Sequence, residues 1–162
     1  MLALRTPERY LRILLELEEE GVPPLRARIV DRVGTTASSV GQMVDGMIRG
    51  GLVHEGGQRH LVMTDEGRSR ALKIMRKHRL AECFLRDVVG LEWHKLHVEA
   101  NRWQHVISDH VETRIDEMLN HPGFSPFGGR ISGKCLESAA SRDLLGLGGE
   151  FALNGGGAME IA

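Results

Sequence analysis

Residues 25–63 carry the pattern that most constrains the fold, because two short helices, a glycine turn and a hairpin follow one another without a gap. The second helix is the clearest in the sequence, since its apolar residues recur at i, i+3, i+4, i+7 and i+8. These residues are Val40, Met43, Val44, Met47 and Ile48. A shorter helix over about residues 25–33 precedes it and ends at Gly34. Two helices joined by a tight turn predict a helix-turn-helix.

The segment that follows predicts a wing on this helix-turn-helix. Apolar residues at 52–54 and 60–63 flank a turn that contains Gly56 and Gly57. Two short apolar runs around a glycine pair are typical of a β-hairpin. An N-terminal helix, capped by Thr6 with Pro7 at its first position, precedes the whole unit.

The second half of the chain reads as helical. Thr64 is expected to cap a helix that runs to about Val89. Another helical stretch covers residues 94–119, with a break near Asp109, which with Glu112 resembles a capping box at the start of a new helix. We therefore predict a mainly α fold. Its parts are a winged helix-turn-helix domain over residues 1–73, a helical dimerisation domain over 74–131, and a poorly structured, glycine-rich tail over 132–162.

Charge is divided unevenly along the chain. Residues 1–80 carry 14 Lys and Arg against 10 Asp and Glu, whereas residues 81–162 carry 7 against 12. A basic half beside an acidic half suits a DNA-binding module joined to a second unit.

Cys83 and Cys135 give no disulfide framework, and the sequence has neither a membrane-length apolar run nor a signal peptide. We expect a cytoplasmic protein with no membrane partner.

The second helix of the motif would enter the major groove of double-stranded DNA. Four polar residues near its start are candidates for contacts with base edges and phosphates: Thr36, Ser38, Ser39 and Gln42. Four arginines are candidate phosphate contacts: Arg26, Arg28, Arg49 and Arg59. Asp45 on the same helix weakens the prediction of DNA binding, because a carboxylate repels phosphate. Helix-turn-helix patterns also occur in domains that bind only proteins.

A cluster of histidine and carboxylate side chains is expected on the two long helices. His78 and Glu82 share a helical face, and His97 and His105 are eight residues, or about two turns, apart on the next helix. Imidazole and carboxylate together suit iron(II), manganese(II), zinc or nickel. The alternative is that each histidine is simply hydrogen-bonded or solvated.

Several stretches together resemble the diphtheria toxin repressor and iron-dependent regulator family. They are TPERYLRILLELEEEG (6–21), PLRARI (24–29), MRKHRLAE (75–82), HVEANRWQH (97–105) and SPFG (125–128). The resemblance covers about residues 4–131. It implies a homodimeric regulator that binds a palindromic operator under control of iron(II) or manganese(II), usually as a repressor of metal-homeostasis genes. Many members also carry an SH3-like third domain, which we do not expect here.

The resemblance also implies metal ligands by position. An ancillary site matches at His78, Glu82 and His97, and Arg79 and Ser125 match residues that hold an adjacent anion. A third anion-binding position is Gly129 in this sequence.

The primary, activating site of the family is altered in this sequence. His105 is retained, but Asn101 and Gln104 stand where the family has thiolate or carboxylate ligands, and Arg9 stands at the N-terminal ligand position. Neutral amides and a nearby cation are poor partners for a dication. We therefore predict that this second site has lost most of its affinity for a divalent metal.

These observations leave several functions open. One is a metal-independent regulator in which Arg9 replaces the activating metal and bridges the two domains. Others are a regulator that uses only the ancillary site, an unregulated paralogue, and a metal- or protein-binding module that does not bind DNA. An enzyme is not expected, since no nucleophile elbow, HExxH helix or phosphate loop is present.

Five apolar residues are candidates for a dimer interface: Leu85, Val88, Trp103, Ile107 and Val111.

Overall fold

A computed structural model of the chain describes residues 6–132. Six helices and one two-stranded antiparallel sheet make up this part. In chain order they are α1 (Pro7–Glu19), α2 (Arg26–Val33), α3 (Ala37–Arg49), β1 (Val53–Glu55), β2 (Leu61–Met63), α4 (Asp65–Asp87), α5 (Trp93–Trp103) and α6 (Asp109–Met118). The mainly helical fold and the winged helix-turn-helix are thus confirmed. The predicted tail lies, except for Ser132, outside the described residues.

The ends of the first helices follow from local chemistry. The Thr6 side chain accepts a hydrogen bond from the Arg9 amide at the start of α1, and Thr36 does the same from the Ser39 amide at the start of α3. Gly34 ends α2 in the left-handed region at φ 68°, where a side chain would be strained. This turn sets α3 beside α2 as the second helix of the motif.

The wing is a short hairpin in which Val53 pairs with Met63 and Glu55 with Leu61. A turn of 3₁₀ helix, Gly57–Arg59, joins the strands, and both Gln58 and Arg59 have positive φ. Val53, Leu61 and Met63 are buried, while residues 57–59 are exposed at the tip. The wing therefore holds Arg59 out in solvent.

Helix α4 connects two hydrophobic cores. Its first half contributes Ala71 and Met75 to a core formed with α1, α2, α3 and the hairpin. Its second half contributes Leu80 and Leu85 to a core formed with α5, α6 and Ile131. The predicted domain boundary after residue 73 lies inside this continuous helix and stays a prediction.

The break in the second helical stretch is confirmed, but its cap differs from the expected one. Helix α5 ends at Trp103 and α6 begins at Asp109. The N-cap of α6 is Ser108, whose side chain accepts from the Val111 amide, so Asp109 belongs to the first turn. A hydroxyl in extended backbone can reach the amide three residues on, as in α1 and α3.

Within residues 6–132, no helix is both long enough and apolar enough to cross a membrane.

Candidate metal centre and nucleic-acid interface

One face of α3 is open to solvent and polar. Ser38 and Gln42 are exposed on it, and Arg49 is exposed at the end of the helix. A hollow of about 260 Å³ lies on this face between Ser39, Gln42, Met43 and Gly46. The opposite side of α3, with Val40, Val44 and Met47, is buried in the core. The helix is therefore presented as a recognition helix requires.

Thr36 acts first as a structural residue. Its hydroxyl oxygen accepts from the Ser39 amide at 3.2 Å and lies 3.0 Å from the Ser39 hydroxyl. This hydroxyl therefore shapes the start of α3. A contact from Thr36 to DNA stays a prediction.

Arg26 forms ion pairs within the protein, and its predicted contact with a DNA phosphate stays a prediction. Its guanidinium pairs with Asp45 on α3 at 2.8 Å and with Glu55 in the wing at 2.7 Å. The pairing explains how Asp45 can stand on this helix, because its charge is offset by a neighbouring cation. Arg26 thus braces α2, α3 and the wing in one arrangement.

The other three arginines leave their charges in solvent. Arg28 lies 3.8 Å from Asp31, a weak surface pair, and Arg49 and Arg59 are exposed with no hydrogen bond or ion pair among residues 6–132. These three exposed cations belong to α2, to the end of α3 and to the tip of the wing.

The structure brings His78, Glu82 and His97 together between α4 and α5. His78 Nε2 lies 2.9 Å from Glu82 Oε1 and 3.2 Å from His97 Nδ1, and His97 Nδ1 lies 3.1 Å from the same carboxylate oxygen. The side chains of His78 and Glu82 are 3% exposed, whereas that of His97 is 49% exposed. Among the described residues, no other group of histidine, cysteine and carboxylate converges in this way.

The charge state of the cluster favours a cation. Burial, opposed by the hydrogen bond to Glu82, lowers the pKa of His78 to about 4. Burial would raise the pKa of Glu82, but hydrogen bonds from His78 and His97 outweigh it and bring that pKa down to about 2. At neutral pH the cluster thus contains a neutral imidazole and a carboxylate anion. Such a donor set fits a divalent transition metal, and the open side at His97 lets one enter.

We predict that the metal-free protein loses stability as the pH falls from 6.5 towards 4. The folded-state pKa of His78 lies below its unfolded value, so the unfolded chain takes up the proton first and is favoured by acid. The lowered pKa of Glu82 adds a further loss below pH 4.5. For His78 the loss is on the order of 3 kcal/mol.

Urea denaturation of metal-free protein at several pH values would measure this effect. His78→Phe keeps an aromatic ring without the titrating group, and its stability should fall less than that of the wild type over this pH range. Parallel curves for the two proteins would contradict the prediction.

At the anion site that the resemblance implies, the arginine is already paired with groups of the same chain. The Arg79 guanidinium pairs with the Glu19 carboxylate and donates to the Arg130 carbonyl. A Cβ at Gly129 would lie 2.5 Å from Arg79 Nε, so this glycine leaves room for the guanidinium. A cleft of about 520 Å³ contains both the His78 cluster and these residues, and the buried Ser125 lies in its wall.

The residues expected at the second site line two different clefts. Asn101 lines the cleft that contains His78, whereas Gln104 and His105 line a different cleft. Asn101 Oδ1 accepts from Arg12 Nη2 at 2.7 Å, and Gln104 Nε2 lies 3.0 Å from His105 Nε2. The Asn101 oxygen is thus already engaged, and neutral amide oxygens are poor ligands for a divalent metal.

Arg12, and not Arg9, joins the two halves of the molecule. Arg9 lines the first cleft but makes no side-chain hydrogen bond or ion pair in the described part of the chain. Arg12 is 2% exposed, pairs with Glu16 on α1 and donates to Asn101 on α5. The expected bridge by Arg9 is therefore replaced by one a helical turn later. Sequence reasoning missed Arg12 because it lies 89 residues from its partner.

The candidate interface residues separate into two groups. Leu85 and Ile107 are buried in the second core, and Trp103 is partly buried against Phe84. Val88 and Val111 are 51% and 48% exposed. Only the exposed valines of this set are left open to a second copy of the chain.

Two family models match successive parts of the chain. Residues 3–61 match the N-terminal DNA-binding domain of iron-dependent repressors, and residues 64–133 match the metal-binding and dimerisation domain of the same family. The boundary between the two matches falls at the start of α4.

Characterised proteins with similar sequences carry the same kind of description. The chain is 52% identical over 128 residues to the iron-dependent repressor IdeR of Mycobacterium tuberculosis and 55% identical over 128 residues to the diphtheria toxin repressor of Corynebacterium glutamicum. Each match covers 79% of this chain but only 56% of the relative. The chain therefore spans little more than half the length of these relatives.

Solved structures with a similar fold include two manganese-linked regulators. The manganese regulator SloR superposes with a TM-score of 0.74 at 32% identity, over 82% of this chain and 61% of that one. A manganese-dependent transcriptional repressor in complex with manganese gives a TM-score of 0.74 at 32% identity, over 79% of this chain and 59% of that one.

Proposed function

The chain belongs to the iron-dependent repressor family, and from this premise we propose that it is a metal-regulated repressor that binds double-stranded DNA as a homodimer. The observation that carries the regulatory half is the convergence of His78, Glu82 and His97 within 3.2 Å of one another. The relatives are named as iron-dependent and manganese-dependent repressors, so iron(II) and manganese(II) are the metals we propose.

DNA binding is supported by the open face of α3 and by exposed arginines on α2, α3 and the wing. Gln42 stands near the middle of this face, where an amide can pair with an adenine edge in the major groove. Arg28, Arg49 and Arg59 are exposed on α2, α3 and the wing, and Arg28 has only a weak pair with Asp31. We propose that these arginines contact phosphates and that Ser38, Ser39 and Gln42 face the bases.

Dimerisation is supported by the family match of residues 64–133 and by exposed apolar residues on that unit. Val88 and Val111 are the members of the predicted set that a second copy could cover. Two DNA-binding domains related by twofold symmetry match the two half-sites of a palindromic operator.

The proposal is tested by titrating the protein onto duplex DNA selected from a random pool in the presence of manganese(II). Fluorescence anisotropy should show binding that strengthens at least tenfold with manganese(II) or iron(II) and is lost on chelation. Absence of salt-dependent duplex binding under every metal condition would refute it.

Arg59→Ala is expected to weaken binding equally for all duplex sequences and to reduce the slope of log affinity against log salt by about 1, because one phosphate contact is lost. Gln42→Ala should instead leave the slope unchanged and reduce discrimination at one base pair by roughly 1–3 kcal/mol. Arg114→Ala, which removes an exposed cation on α6, is the matched control and should change neither quantity. A slope that does not move in Arg59→Ala would contradict the assigned contact.

The bridge between Arg12 and Asn101 favours a second candidate function, a metal-independent regulator. In this version a buried guanidinium holds α1 against α5, as a bound metal would. DNA affinity would then persist after chelation and decrease in Asn101→Leu, which removes the acceptor. Affinity that collapses on chelation and returns with iron(II) or manganese(II) would exclude this candidate.

A further inference from the structure

A second cleft, separate from the His78 cluster, lies where the start of α1, the middle of α4 and the turn between α5 and α6 meet. Its volume is about 560 Å³, which is in the range of small-molecule sites. The residues that line it are Thr6, Glu8, Arg70, Lys73, Ile74, Lys77, Gln104, His105, Val106 and Ile107. The cleft is therefore lined by residues of both the winged helix-turn-helix part and the helical part that follows it.

The charges around this cleft are mostly positive. Arg70, Lys73 and Lys77 follow one another on one face of α4, and Glu8 is the one carboxylate that residues 6–132 contribute to the lining. The three cations of the lining favour an anion over a metal dication once the exposed carboxylates that pair with two of them are displaced.

These cations are available to a ligand. Lys73 has no hydrogen bond or ion pair within the described residues. Arg70 pairs with Glu66, and Lys77 pairs with Asp109 at 2.8 Å and donates to the Ile107 carbonyl at 2.9 Å. The side chains of Glu66 and Asp109 are 59% and 93% exposed. Such exposed pairs contribute little and are easily exchanged for a better-placed anion.

An unpartnered group in the wall also points to a ligand. Gln104 is 1% exposed, and its Oε1 is buried without a hydrogen-bond partner. A buried amide left half-satisfied costs free energy that a bound molecule or water can recover. The amide can also turn, which would present its NH₂ group to an anionic oxygen.

We propose that this cleft binds a small polyanion that carries phosphate or carboxylate groups. The anion would lie against Lys73 and Lys77, take the place of the Asp109 carboxylate on Lys77 and reach the Gln104 amide. It would link α1 to α4 and to the turn at residues 104–107, which includes Gln104 and His105 of the predicted second metal site. The inference does not depend on the proposed DNA-binding function.

The test uses pyrophosphate and citrate as separate probes, with the metal-free, full-length protein. The metal is removed by a chelating resin, since a soluble chelator is itself a polyanion. Calorimetry gives the affinity, and amide shifts in ¹⁵N-labelled protein locate the site. We expect saturable binding of one or both probes, with shifts at Lys73, Lys77 and residues 104–107.

Paired variants separate this site from the DNA-binding face, which also attracts polyanions. Lys73→Ala combined with Lys77→Ala should weaken binding at least tenfold, whereas Arg49→Ala at the end of α3 should leave it unchanged. Binding of pyrophosphate alone identifies a phosphate ligand, and binding of citrate alone identifies a carboxylate ligand. Failure of both probes to bind, or shifts confined to α2, α3 and the wing, would overturn the proposal.

Discussion

Replacing Glu82 by glutamine is expected to weaken manganese(II) binding roughly 100-fold or more, since removal of a direct ligand should cost at least as much as loss of a ligand-orienting partner. Glu82 supplies the negative charge of the cluster, and its Oε1 is the atom on which both imidazoles converge. An amide oxygen of the same shape brings no charge, so the dication is left with neutral donors. Calorimetric titration with manganese(II) in chelator-free buffer measures the affinity.

The matched control is His110→Ala, which removes an exposed histidine on α6 outside the cluster. Its manganese affinity should equal that of the wild type. Because Glu82 is buried, the variant's fold is checked by circular dichroism. His97→Ala offers a second variant whose side chain is half exposed, and it should also weaken binding. Wild-type affinity in both Glu82→Gln and His97→Ala would place the metal elsewhere.

Replacing Gly67 by alanine is expected to destabilise the fold by about 3 kcal/mol or more, an overpacking effect at the upper end of its usual range. A Cβ at this position would lie 2.0 Å from the carbonyl oxygen of Leu52. That oxygen cannot easily move, because it accepts from the Thr64 amide at 3.0 Å and from the Thr64 hydroxyl at 3.1 Å. The first turn of α4 would have to separate from the residues that begin the wing.

Gly46→Ala provides the opposite result in the same measurement. Gly46 is also helical, but the nearest atom to an added Cβ is Arg49 Nη2 at 3.9 Å. Alanine there should stabilise the fold by up to about 1 kcal/mol. Denaturant unfolding of the three proteins gives both values. A Gly67→Ala variant within 1 kcal/mol of the wild type would show that α4 can shift at low cost.

Much of the fold could be predicted because its determinants are local. Thr6, Thr36 and Thr64 each stand next to the helix that they cap, and the apolar period of α3 is contained in one segment. The register of the hairpin follows from alternation across a short turn. The cap of α6 was assigned one residue late, since Ser108 and Asp109 can both accept from a nearby amide.

The metal cluster could be predicted in part. The i, i+4 spacing alone puts His78 and Glu82 on one face of α4. The choice of His97 over His105 came from the resemblance, and the packing of α4 against α5 brings His97 Nδ1 to 3.1 Å from Glu82. Spacing within a helix is a property of the chain, whereas the approach of two helices is a property of the core between them.

The sequence by itself determined the winged helix-turn-helix, the polar face of α3 and the residue types of the cluster. Only the tertiary structure decided how buried and distant charges pair. Arg26 is held by Asp45 and Glu55, and Arg12 crosses from α1 to Asn101. The physical reason is that such pairs join elements far apart in sequence. Their geometry is fixed by the hydrophobic cores on either side of α4, which no local pattern specifies.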